Sequence, residues 1–109
     1  MGALTLEGLR NKRRFSDWKG YAPDPAITAC RAIFRETIDL LLALGKTPTE
    51  PQVLAILQEC IERLNKLNEG NGHFIETTIR EDLCEDFNEV VHACGLREHE
   101  NLADHWRKW

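Results

Sequence analysis

Residues 49–67 read TEPQVLAILQECIERLNKL. Val53, Ile56, Leu57, Cys60, Ile61, Leu64 and Leu67 recur there at intervals of three and four, the spacing that lines one face of an α-helix. Glu59, Glu62, Arg63, Asn65 and Lys66 fall on the other side. Thr49 followed three positions later by Gln52 forms a capping box, in which each side chain bonds the other residue's backbone N–H. These features predict an amphipathic helix over about 50–67. Asn68-Glu69-Gly70-Asn71-Gly72 then predicts a stop and the most flexible stretch inside the domain.

The flanks repeat the pattern. Upstream, Asp24 is a candidate N-cap and Pro25 suits the first helical position. Ile27, Cys30, Phe34, Ile38 and Leu41 keep the helical spacing, Leu40, Leu42 and Leu44 widen the apolar stripe, and Gly45 ends it. Arg35 and Asp39 are spaced as an i,i+4 ion pair. The link Lys46-Thr47-Pro48 is short, so the middle helix is expected to return antiparallel to the first. Downstream, Thr78 with Glu81 reads as a second capping box, Ile79, Leu83, Phe87, Val90, Val91 and Cys94 as a core face, and Gly95 as a stop with Leu96 packing behind it. The predicted fold is all-α. It is a small antiparallel bundle of three main amphipathic helices, about 25–44, 50–67 and 78–94. A short helix around Asn101 to Trp106 and a basic, aromatic N-terminal arm with one turn near Leu4 to Arg10 complete it. Residues 1–23 form the arm, packed on the domain or extending from it, and 24–109 form a single helical domain.

Composition agrees with this division. The chain has 109 residues, 42% of them hydrophobic, enough for one core. The apolar run Leu40 to Leu44 falls far short of the roughly 20 residues of a membrane span. The N-terminus lacks the charged-then-apolar order of a secretory signal, and Leu6 stands where myristoylation needs Ser or Thr. A cytoplasmic location is therefore expected, with no membrane partner. Cys30, Cys60, Cys84 and Cys94 are widely separated and read as reduced thiols, mostly in the core. Cys84 has Asp82, Glu85 and Asp86 nearby in sequence, which would raise its pKa and disfavour a thiolate.

Charge is unevenly distributed. Arg10, Lys12, Arg13, Arg14 and Lys19 oppose only Asp17 in residues 10–19, whereas the chain as a whole is at −4. Phe15, Trp18 and Tyr21 interleave with these basic groups. Such a segment can latch onto its own core, reach a partner, or bind nucleic acid through phosphates and stacked bases. The acidic balance of the whole chain makes nucleic acid the weaker alternative. The third predicted helix carries Glu81, Asp82, Glu85, Asp86 and Glu89 on an arc opposite its core face. Glu81–Glu85 and Asp82–Asp86 are like-charge i,i+4 pairs, each costing a few tenths of a kcal/mol. The plain reading of the arc is a solvated face; the alternative is a surface for something cationic, the chain's own basic segment 10–14, a basic partner protein or a metal ion. Trp106 and Trp109 share one face and either cover the bundle or anchor a partner, including a second copy.

Signatures of catalysis are weak. Glu89-Val90-Val91-His92 matches one Glu-x-x-His element of a di-iron bundle but has no second copy. His92, Cys94, His99 and His105 lack the Cys-x-x-Cys of zinc sites. The sequence holds no nucleophile elbow, phosphate loop or dinucleotide fingerprint. The expectation is a non-enzymatic protein-interaction module that needs no cofactor, an adaptor, inhibitor or immunity-type protein. Its expected binding residues are Glu81, Asp82, Glu85, Asp86, Glu89, Arg13, Arg14, Trp18, Trp106 and Trp109. The alternatives are a nucleic-acid-binding arm and a small metal-dependent enzyme around Glu89 and His92.

Overall fold

Where apolar residues recur every three and four positions, the chain is helical. The computed structural model describes residues 5–10, 12, 15, 18, 20, 22–45, 48–96 and 102–109. Helix α1 is Leu6–Arg10, α2 is Asp24–Ala43, α3 is Glu50–Gly70 and α4 is Thr77–Ala93, followed by a 3₁₀ helix over Leu102–His105. The described residues contain no strand, and the fold is an all-α bundle. None of the described helices is long and apolar enough to cross a membrane.

Helix ends show which local signals prevailed. Thr49 and Gln52 make both bonds of their capping box, Gln52 N donating to Thr49 Oγ1 at 3.4 Å and Thr49 N donating to Gln52 Oε1 at 2.9 Å. The box expected at Thr78 and Glu81 does not form. Glu76 takes the cap position, two residues before Thr78, with no side-chain bond; the buried Phe74 and Ile75 bring the chain into the helix earlier than the box requires. Asp24 is likewise inside α2 rather than capping it. The Pro23 carbonyl accepts from Ala26 N and Ile27 N, so Pro23 becomes the cap. Gly95, at φ 83°, ends α4 in a Schellman motif. Leu96 N donates to Val91 O at 3.2 Å and Gly95 N to His92 O at 2.9 Å, and the Leu96 side chain is buried.

The expected stop at Asn68 is also displaced, since α3 continues to Gly70. The stretch expected to be most flexible is closely bonded. Asn71 Nδ2 donates to Leu67 O at 2.8 Å, His73 N to Asn68 O at 2.8 Å, and Ile75 N to Asn68 Oδ1 at 2.9 Å. Asn68 itself is buried.

Packing starts from the α2–α3 hairpin. Arg63 bonds Glu36 at 2.7 Å, and the buried Thr37 lies against Cys60. The earlier α2 residue, Glu36, meets the later α3 residue, Arg63, and Thr37 meets Cys60, the order that an antiparallel return requires. Phe34, Ile38, Leu57, Ile61, Leu64, Leu83, Val90 and Val91 are fully buried between the helices. Leu40 is not part of that stripe: it stands 47% exposed. Asp39 bonds Arg10 at 2.5 Å, not Arg35, because α1 packs across α2 and α4. The 3₁₀ helix packs on α4, with Leu102 and Ala103 buried.

Candidate interaction face on α4

The acidic residues of α4 divide into two rows with different surroundings. At about 100° per residue, Asp86 lies only about 40° around the helix from Val90, and Asp82 about 60° from Ile79. These two carboxylates flank the core face. Glu85 lies about 120° from either edge of that face. The N-terminal segment follows the flanking row.

Lys12 Nζ donates to Asp86 Oδ1 at 2.7 Å and to Glu89 Oε1 at 2.5 Å. Trp18 Nε1 donates to Asp82 Oδ2 at 2.9 Å. Burial alone would lower the Lys12 pKa; the hydrogen bonds to Asp86 and Glu89, and their charges, outweigh it and hold the pKa above the ordinary lysine value. Asp86, expected in a solvated arc, is buried. A buried carboxylate needs a partner, and Lys12 supplies one.

Aromatic packing holds these contacts in place. The Phe15 and Trp18 rings stack with centroids 4.0 Å apart, and Phe15 meets Phe34 of α2 edge-on at 5.5 Å. Trp18 is 1% exposed. Phe15 adopts φ 62°, a left-handed conformation uncommon for an aromatic residue and offset here by burial between two rings. Neither ring is available to stack on a base. Arg13, Arg14 and Tyr21 lie outside the described residues.

The outer row is different. Glu81 and Glu85 are exposed, and neither has an ion-pair partner among the described residues. Among the described residues no ion pair offsets their i,i+4 repulsion.

Trp106 and Trp109 are half-buried and pack against the core. Their segment is held by a residue that sequence patterning assigned to the solvent side. Asn65 is buried, its Nδ2 donating to Trp106 O at 3.0 Å and its Oδ1 accepting from Lys108 N at 3.0 Å. Arg107 bonds Asp104 at 2.7 Å and Trp109 O, and its guanidinium lies over the Trp109 ring at 5.5 Å. The Trp109 Nε1 donor is buried without an acceptor among the described residues.

The remaining chemistry-bearing groups do not converge. Among the described residues no three His, Cys, Asp or Glu side chains are placed to hold a metal ion, and Glu89 is bonded to the Lys12 ammonium. All four cysteines are free thiols. Burial pushes Cys30 up to about 12 and Cys60 and Cys94 up to about 11. Cys84 is raised chiefly by burial, with Arg107, Asp104 and Arg80 as the charges that act on it. Asp82, Glu85 and Asp86, expected to raise it, are not among those charges.

Comparison of the chain with protein-family models, curated proteins and solved structures finds no match.

Proposed function

We propose that the protein is a non-enzymatic helical interaction module that receives a basic protein surface on the outer acidic row of α4. The observation that carries this is the division of the stripe. Asp82, Asp86 and Glu89 are bonded to the N-terminal segment, whereas Glu81 and Glu85 are exposed and have no ion-pair partner among the described residues. An adjacent like-charge pair on a helix lowers stability by a few tenths of a kcal/mol, and a cationic partner offsets that cost on binding. Complementary charge at a rim speeds association and sets partner choice. Four free thiols are consistent with a reducing, cytoplasmic setting.

The test is the double variant Glu81→Gln/Glu85→Gln. It removes the repulsion, so stability is expected to hold or rise by a few tenths of a kcal/mol. Capture of a basic partner by the full chain should nevertheless be lost, and the wild-type complex should weaken as salt rises. Equal capture by variant and wild type overturns the proposal.

A further inference from the structure

A second feature shares no residue with the α4 rows. The C-terminal segment crosses α3 and leaves a cleft of about 480 Å³, within the range of small-molecule sites. Glu62, Lys66 and Glu69 of α3 line one wall, and His105, Trp106 and Lys108 line the other. Asn65 joins the walls through its two bonds to the Trp106 and Lys108 backbone, so the cleft is set by a buried hydrogen-bonded clamp.

Its charged side chains make no ion pair with one another among the described residues. Among the described residues Glu62 accepts only from the neutral Gln58 amide, at 3.1 Å. Glu69, Lys66, His105 and Lys108 make no side-chain ion pair among the described residues. The α3 wall carries Glu62 and Glu69 with Lys66 between them, and the other wall carries Lys108; acidic and basic groups lining one cleft outside ion-pair distance of each other suit a molecule with an ammonium group at one end and a carboxylate at the other. The half-buried Trp106 ring offers an apolar and cation-attracting surface between them.

We propose that this cleft binds a small zwitterion of the amino-acid or short-peptide class. Its ammonium group lies against Glu62 and Glu69, its carboxylate against Lys108, and its middle over Trp106. Binding is non-covalent and fills a site that is already formed.

The test is a titration of the full chain with the tripeptide Gly-Leu-Gly, followed by the amide signals of Lys108 and Asn65 and the indole N–H of Trp106. Saturable shifts confined to this cleft are expected. Acetylating the peptide's amine or amidating its carboxylate should weaken binding roughly tenfold each, the equivalent of about 1.4 kcal/mol. In Glu62→Gln/Glu69→Gln the affinity for the free peptide should fall while affinity for the acetylated peptide is unchanged. Both positions are exposed, and an unchanged circular dichroism melt verifies the fold. Absence of saturation by about 10 mM, weaker than the millimolar affinity worth about 4 kcal/mol, overturns the proposal. Equal binding of the blocked peptides does the same.

Discussion

Replacing Asn65 with leucine separates a structural clamp from an ordinary surface amide. The two side chains have the same number of heavy atoms and the same branching, and leucine is the bulkier, so no cavity opens, but both hydrogen bonds to the C-terminal segment are lost. A typical net hydrogen bond contributes about 0.5–1.5 kcal/mol. Losing two should lower stability by about 2 kcal/mol, or roughly 10 °C in Tm for a domain of this size. Leucine's gain in apolar burial works against this and sets the lower end of the range. Guanidinium unfolding should show a lower midpoint with an unchanged slope, and hydrogen exchange should accelerate across Leu102–Trp109 more than in α2. An exposed amide would give a change within about 0.5 kcal/mol. A midpoint inside that margin, with C-terminal exchange unaltered, refutes the clamp.

Three further outcomes follow from the same contacts. Lys12→Ala removes both ion pairs to α4; because the lysine is partly exposed, about 0.5–1 kcal/mol should be lost at low salt and less near 1 M, read by denaturant midpoints. Stability should fall as pH rises above about 9, because the unfolded thiols ionise there while Cys60 and Cys30 keep their protons to about 11 and about 12. Two units at Cys60 correspond to about 3 kcal/mol by pH 11, the raised Lys12 pKa acts in the same direction above its ordinary value, and a Cys60→Ala variant should flatten the slope. Gly95→Ala places a Cβ at φ 83°, which should cost about 1 kcal/mol in the melt, and no loss would show that the Schellman turn relaxes freely.

Much of the bundle was readable because burial and helical period coincide: Ile27, Phe34, Ile38, Leu57, Ile61, Leu83 and Phe87 are all in the core. The illegible parts are those decided by a distant segment. Thr49–Gln52 and Thr78–Glu81 carry the same local signal, yet only the first forms, since Phe74 and Ile75 fix where α4 begins. Asn65 looks solvated until the C-terminus passes over it. In the acidic stripe, the angular position of Asp86 beside Val90 carried a signal that grouping all five acids on one arc obscured. Which basic residue would answer it was not readable, and Lys12, not named among the expected binding residues, is the one bonded to it.

The two buried asparagines of α3 also bear on the order in which the chain folds. Asn68 reaches Ile75 across a sequence separation of 7, whereas Asn65 reaches Lys108 across 43. Closing the longer loop costs about 1.6 kcal/mol more chain entropy, from the logarithmic dependence on length. This difference predicts that the link into α4 forms early and that the C-terminal strap docks after the nucleus. Substituting Asn68 should chiefly slow refolding, and substituting Asn65 should chiefly speed unfolding. Two identical side chains one helical turn apart would then act on opposite arms of the chevron.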